Sequence, residues 1–242
     1  FLLGAYGQEF GLNVTVVMCS PIKDLKGVTK KAYDELKSSK VKTIQARSIK
    51  NLKLSKETVI VDALVGTGLK GNLRRNIRDS VLTINKLGIK YPVVSLDVPS
   101  GVNSDTGDVA DVSVFADITT TFVARKRGCF TSIGKKVSGD IQYSDLDIPK
   151  KVFSKIPSTC SVIDFEDLVG RVIFREQDAH KGNFGHAIVI AGDRGLGGAG
   201  ILASKAIVYS GTGLTTLATR PEHVSASLVS CPEVMVVLRS SG

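Results

Sequence analysis

Short apolar runs alternate along this chain with stretches in which apolar residues recur three or four positions apart. "VTVVMC" (14–19), "TVIVDAL" (58–64) and "PVVSLDV" (92–98) have the length and β-branched content of buried strands. "FADITTTFV" (115–123) and "DIQYSDL" (140–146) extend the series. Between them, "GVTKKAYDELKSS" carries Val28, Ala32, Tyr33 and Leu36 at helical spacing, and residues 75–87 carry Ile77, Val81, Leu82, Ile84 and Leu87 on one face. Strands alternating with helices predict an α/β fold, with a parallel sheet covered on both faces. The opening "FLLGAYGQEFG" reads as a helix. A helix in a doubly wound domain follows a strand, so the expectation is a fragment that starts inside a domain.

The pattern changes at "DIPKKVFSKIPSTC" (147–160), where prolines and lysines without periodicity predict a linker. Asp164 is placed to cap a short helix, with Glu166 and Asp167 favouring its first turn. "REQDAHKGNFG" reads as a loop, and a second βα unit follows it. Its expected elements are a strand at 186–191, a helix at about 197–210, a strand at 214–219 and a last apolar run, "EVMVVL" (233–238). The domain division expected is 1–150 and 151–242.

Composition narrows the class. With 242 residues, 43% of them hydrophobic and no tryptophan, the chain suits one large or two small α/β domains. No run approaches the roughly 18 to 20 apolar residues of a membrane-spanning helix, and no signal peptide opens the chain. Cys19, Cys129, Cys160 and Cys231 contain no C-x-x-C pair, which argues against structural zinc and a disulfide framework and predicts free thiols in a reducing cytoplasm. His180 and His186 have no evident third ligand, so a metal site there is not expected. The Asn13-Val14-Thr15 sequon lies in an apolar strand pattern and is not expected to be glycosylated. The net charge of +9 gathers in residues 23–56, at Lys23, Lys26, Lys30, Lys31, Lys37, Lys40, Lys42, Arg47, Lys50, Lys53 and Lys56. These cations fall on a helix's polar side and in loops, without aromatics to stack bases, so they read as a solvated face rather than a nucleic-acid surface. Attraction for anionic small molecules remains consistent with them.

Two segments carry candidate chemistry. "VIVDALVGTGLKGN" sets Asp62 near the carboxyl end of a strand, followed by Gly66, Gly68 and Gly71. "VVSLDVPSGVNSDTG" sets Asp97 at the end of the next strand, followed by Pro99, Ser100 and Gly101. Parallel strands bring both carboxylates to one edge of the sheet, where open α/β sheets bind ligands. Glycines beside them admit close backbone approach and can offer amides to phosphate. The bland reading, aspartates capping helices and glycines making turns, fits either segment alone but not both aimed at one edge. "DVPSG" is not a hydrolase nucleophile elbow, because Val98 and Val102 stand where that motif needs glycine. A carboxylate, a hydroxyl and turn carbonyls make an oxygen-only set suited to a hard cation.

"VDALVGTGLKG" and "SLDVPSGVNSDTG" closely resemble the NAD(P)H-hydrate epimerase family of the YjeF N-terminal type, and "ADITTTF" and "SGDIQYSDLDIP" fall where that family has its last strands. The resemblance spans residues 1 to about 150. It implies a Rossmann-like three-layer sheet that inverts carbon 6 of hydrated NADH or NADPH with potassium in the site. Matched residue by residue, it implies that Asp62 and Ser100 are potassium ligands. Gly66, Thr67, Gly68, Leu69, Lys70, Gly71 and Asn72 would form the substrate loop. Asp97 would contact the substrate; because epimerisation needs a group that protonates the departing oxygen and deprotonates the incoming one, Asp97 is also the expected catalytic acid and base. The family's GNNGGDG loop would fall immediately before Phe1.

"IAGDRGLGGAG" (190–200) has the spacing of a dinucleotide-binding turn at Gly195, Gly197 and Gly200, with Glu222 about twenty residues on. That supports an NAD(P)-dependent oxidoreductase as the alternative reading. The longer phrase "HKGNFGHAIVIAGDRGLGGAGILASKAIVYSGTGLTTLAT" resembles the start of the ADP- or ATP-dependent NAD(P)H-hydrate dehydratase, a ribokinase-like domain. It implies that Ala199 contacts the hydrated nucleotide and that ADP or ATP phosphorylates its carbon-6 hydroxyl before elimination. His180 and Lys181 would touch phosphates or order a loop. The family's later "GSGD" segment would fall beyond Gly242. Two resemblances naming successive steps of one repair route make the expected protein a bifunctional enzyme acting on hydrated nicotinamide nucleotides. It is expected to form a homo-oligomer, without nucleic-acid or membrane partners. A non-catalytic binding module is the remaining alternative.

Overall fold

Apolar runs become parallel strands, and the periodic stretches between them become helices, in a computed structural model that describes residues 1–156, 158–170 and 175–238. Pro157 of the expected linker and the side chain of Lys50 from the lysine cluster lie outside the described residues. The chain divides into two compact units, Phe1–Ser161 and Val162–Gly242. The division falls just past the expected linker rather than at residue 150. No helix among the described residues is long and apolar enough to cross a membrane.

The first unit opens with α1 (Leu2–Glu9), β1 (Thr15–Met18), α2 (Gly27–Ser38) and β2 (Lys42–Gln45). β1 and β2 pair in parallel, and α1 and α2 bury Ala5, Leu36 and Val41 with Val14 and Val16. β2 was not expected from the sequence: its "KTIQ" carries one apolar residue, Ile44, and only pairing with β1 makes it a strand. Val28 is exposed and the burial of α2 centres on Leu36 instead.

A second sheet follows, in the order β3 (Ile60–Asp62), β4 (Val93–Leu96), β5 (Ile118–Phe122), β6 (Asp140–Ser144), all parallel. α3 (Arg75–Gly88) packs Val81 and Ile84 onto Val93 and Val114. Leu82 is 44% exposed; it lies roughly 100° round the helix from Val81, outside the buried stripe. α4 (Ser132–Val137) closes a neighbouring cluster of Val98, Val102, Cys129 and Val137. Covering on both faces is incomplete at β3, where Val59 and Val61 stay 52% and 43% exposed because β3 edges its sheet. The expected linker contains one short helix, α5 (Lys150–Lys155), with no buried residue.

What positions the site is the helix-free connection from β4 to β5. Asn103 Oδ1 accepts from the amides of Asp105 (2.9 Å) and Thr106 (3.2 Å), Val102 bridges Val109, and the Val114 amide donates to the Ser100 carbonyl (2.9 Å). Two glycines of the "PSG…TG" phrase are required by geometry. Gly101 (φ +103) and Gly107 (φ +78) are left-handed, and a Cβ at either would collide with backbone, the Val112 carbonyl and the Thr131 carbonyl respectively.

In the second unit, Asp164 caps α6 (Phe165–Val169) through a capping box with Asp167. β7 (His186–Ile190), α7 (Gly198–Tyr209), β8 (Leu214–Thr219), α8 (Val224–Ser230) and β9 (Met235–Leu238) form a three-stranded parallel sheet with its helices. The core joins Leu217 to Cys231 and Val234. α8 was not expected.

Gly101→Ala should lower stability by more than about 3 kcal/mol, since it combines a disallowed φ with a backbone collision. Urea denaturation of the variant checks this; a loss below about 1 kcal/mol would show that the loop yields freely.

Candidate functional site

β3 and β4 run in parallel with Asp62 opposite Ser95, so the residues after both strands emerge at one edge of the sheet. Asp62 ends β3 and is 1% exposed. A carboxylate so buried must be satisfied by donors, and four converge on it. Ser95 Oγ donates to Oδ2 (2.9 Å), the Ser100 amide to Oδ2 (2.8 Å), Ser100 Oγ to Oδ1 (2.6 Å) and the Leu64 amide to Oδ1 (3.3 Å). Burial pushes the Asp62 carboxyl above its ordinary range, and the donors from Ser100, Ser95 and Leu64 pull against it. Ser100, fully buried, also accepts from the Val65 amide (2.9 Å) and lies 3.2 Å from the Val65 carbonyl. Asp62 Oδ1, Ser100 Oγ and the Val65 carbonyl thus form a compact group of oxygens.

Asp97 follows β4 in a different environment. Its φ is +71, rare for a residue with a side chain. The Val98 amide donates to the Leu96 carbonyl (2.9 Å) and closes a three-residue turn around it, while its own amide donates to the Thr120 carbonyl of β5 (2.7 Å). Its side chain remains 26% exposed and pairs through Oδ1 with Lys126. The Thr121 hydroxyl and the Phe122 amide stand 3.4 Å from the same oxygen. Oδ2 faces Gly66, where a Cβ would stand 3.8 Å from it.

Gly66, Thr67, Gly68, Lys70, Gly71 and Asn72 are exposed, with Leu69 half-buried, in the loop that leads to α3. Asp62, Ser100, Asp97 and Gly66 are therefore assembled at one edge. The carboxyl end of β1 is tied to the same region, because Asn76 Nδ2 donates to the Cys19 carbonyl (2.6 Å). Burial pushes the Cys19 and Cys129 thiols up, away from thiolate chemistry. Ala199 belongs to the second unit, exposed in the first turn of α7.

Two participants were missed by sequence reasoning, Ser95 and Lys126. Ser95 had a signal: it is a polar residue at a buried alternate position of β4, two residues from Val93. Lys126 had none beyond being one of three adjacent cations in "ARKRG".

Of the three glycines in the dinucleotide spacing, Gly197 and Gly200 have packing roles, while Gly195 (φ +70) has open space where a Cβ would stand. A Cβ at Gly197 would stand 2.6 Å from the His223 ring, and one at Gly200 would stand 3.1 Å from Leu217 Cδ1 and 3.2 Å from Ala191 Cβ. His223 Nε2 lies 2.9 Å from the Asp193 carbonyl, and Arg220 pairs with Asp193 Oδ1 at 3.0 Å, so the turn is closed by side chains from the segment after β8. Glu222 is exposed in a short turn after β8. Among the described residues, no group of three or more histidine, cysteine, aspartate or glutamate side chains could hold a metal; His186 meets Thr216 Oγ1 at 2.8 Å instead.

Comparison with known proteins shows what the chain is similar to. Residues 1–128 match the family model described as YjeF-related protein N-terminus. The chain is 36% identical over 234 residues to a bifunctional NAD(P)H-hydrate repair enzyme of Coxiella burnetii, covering 97% of this chain and 47% of that protein. It is 33% identical over 243 residues to a bifunctional NAD(P)H-hydrate repair enzyme of Leishmania infantum, covering 98% of this chain and 43% of the relative. The chain thus spans less than half the length of these relatives. In fold it is similar to the crystal structure of yeast ynu0, YNL200c, with a TM-score of 0.54 at 21% identity over 68% of each chain.

Because the folded Asp62 carboxyl holds its proton above the ordinary value of 3.8, the native state binds more protons than the unfolded chain in that window. Stability is then greatest below the ordinary value and falls as pH rises toward the raised one. Ser100→Ala removes a donor that opposes this shift. It should cost about 1–3 kcal/mol and carry the decline to higher pH. Urea denaturation across pH without potassium measures both effects, and an unchanged pH profile would contradict them.

Proposed function

The chain belongs to the YjeF-related protein N-terminus family, and on that premise we propose that its first unit epimerises hydrated NADH or NADPH at carbon 6. The observation that carries this reading is the contrast between two aspartates at one sheet edge. Asp62 is sealed by four donors, while Asp97 is partly open and directs Oδ2 toward Gly66. A sealed carboxylate cannot shuttle protons with a ligand; an open one beside a glycine loop can.

Epimerisation at a carbon bearing both a hydroxyl and the ring nitrogen breaks the carbon–oxygen bond and remakes it on the other face. The Asp97 carboxyl gives its proton to the departing oxygen, which leaves as water. The ring nitrogen's lone pair supports the cationic carbon. Water then adds to the opposite face and returns a proton to Asp97, so no oxidant, reductant or other reactant is consumed. Gly66, Thr67, Gly68, Leu69, Lys70, Gly71 and Asn72 form the loop that receives the nucleotide, its glycines letting the backbone amides approach phosphate.

Potassium fits the oxygen group at Asp62 and Ser100, an oxygen-only donor set. Asp62 and Ser100 would hold the ion, which would supply positive charge at this edge of the sheet. In the second unit the reading is the opening of an ADP- or ATP-dependent dehydratase for the same nucleotide, with Ala199 at its substrate surface. It is supported by two relatives named as bifunctional NAD(P)H-hydrate repair enzymes, whose similarity runs through both units. The partner throughout is a small molecule. Self-association to a homo-oligomer belongs to the same reading.

In the intact protein, Asp97→Asn should reduce the interconversion of the two epimers of hydrated NADPH by at least about 100-fold, with nucleotide affinity within about threefold. Chromatographic separation of the epimers and calorimetric titration measure the two quantities. Undiminished turnover in the variant sinks the assignment. Activity should also depend on added potassium.

A further inference from the structure

β4 and β5 end in the same unusual way. Asp97 has φ +71, with its turn closed from the Val98 amide to the Leu96 carbonyl (2.9 Å). Val123 has φ +66, with its turn closed from the Ala124 amide to the Phe122 carbonyl (2.7 Å). Neither residue is glycine, and the left-handed region is especially unfavourable to a β-branched valine. Something must hold both turns, and Lys126 touches both. Its ammonium donates to the Phe122 carbonyl at 2.6 Å and pairs with Asp97 Oδ1, and its side chain is 17% exposed. The flanking cations are engaged elsewhere: Arg125 lies over the Tyr143 ring at 5.4 Å, and Arg127 Nε donates to the Asp105 carbonyl at 2.6 Å.

The two oxygens of Asp97 are therefore not equivalent. Oδ1 carries the ammonium, with Thr121 Oγ1 and the Phe122 amide only at 3.4 Å, too long to orient it strongly. Oδ2 faces the start of the glycine loop. A carboxylate free at both oxygens would rotate about its last bond. Anchored at one by a charge-assisted bond, it presents a single oxygen in a fixed direction.

Resting on the epimerase reading above, we propose that Lys126 is the positioning residue of the site: it clamps the ends of β4 and β5 and commits Asp97 Oδ2 to the substrate. Lys126 acts through Asp97 and makes no bond to the reacting carbon.

The test uses the intact protein with Lys126→Met, Lys126→Gln and Lys126→Arg. Lys126→Met should lower kcat by about 100-fold with KM within about threefold, and Lys126→Arg should recover most of that loss. Adding Lys126→Met to Asp97→Asn should cause no further loss, because the lysine has nothing left to position. Lys126→Gln keeps a donor for the Phe122 carbonyl without the charge, and replaces Lys126→Met if that variant fails to fold. A second readout is independent of turnover. In protein labelled with carboxyl-13C aspartate, the Asp97 resonance is identified by its absence in Asp97→Asn, and it should move or broaden in Lys126→Gln. Wild-type kcat in the uncharged variants, a loss confined to KM, or an unmoved carboxyl resonance each overturns the proposal. A wild-type protein that does not interconvert the epimers refutes the functional reading instead, and the carboxyl resonance then decides the clamp by itself.

Discussion

A carboxylate removed from water is tolerable only when its lone pairs are filled, and the Asp62–Ser100 contact is where this fold meets that requirement. Ser100 contributes both its amide and its hydroxyl, and Ser95 adds a third donor from the adjacent strand. The three residues belong to β3, β4 and the connection after β4, so satisfying one buried charge fixes how the connection leaves the sheet. Asp97 lies between Ser95 and Ser100 in sequence. Its left-handed turn follows from the short path the backbone must take from the buried face of β4 back to Asp62. The glycines at 101 and 107 then let the loop fold down against its own backbone.

From this constraint comes a division of labour between two otherwise identical side chains. Asp62 lies deep and serves as an anchor, its two oxygens held by donors from Leu64, Ser95 and Ser100. Asp97 lies at the surface of the same edge, where an ammonium holds one oxygen and the other faces the glycine loop. Environment, not residue type, separates a sealed carboxylate from an open one, as it does wherever two acids share a site.

The second unit applies glycine differently. Gly197 and Gly200 lie where the dinucleotide spacing puts them, yet the space a side chain would need is filled by His223, Leu217 and Ala191. The spacing alone could not tell a phosphate cradle from close packing of a helix on a sheet, because both demand the absence of a Cβ in the same strand–turn–helix setting.

Local pattern determined much of this protein. Apart from β2 and α8, the order of strands and helices, the strand ends bearing Asp62 and Asp97, the glycine loop between them and the Asp164 cap were legible because each depends on a residue and its near neighbours. Tertiary structure decided the rest. β2 exists because β1 offers it an edge, Val61 is exposed because β3 edges its sheet, and Ser95 matters because Asp62 lies opposite it. Lys126 joins Asp97 across 29 positions of sequence, only because β5 returns beside β4. Such pairings depend on where distant segments come to rest, and a hydrophobic period carries no record of which lysine will meet which carboxylate.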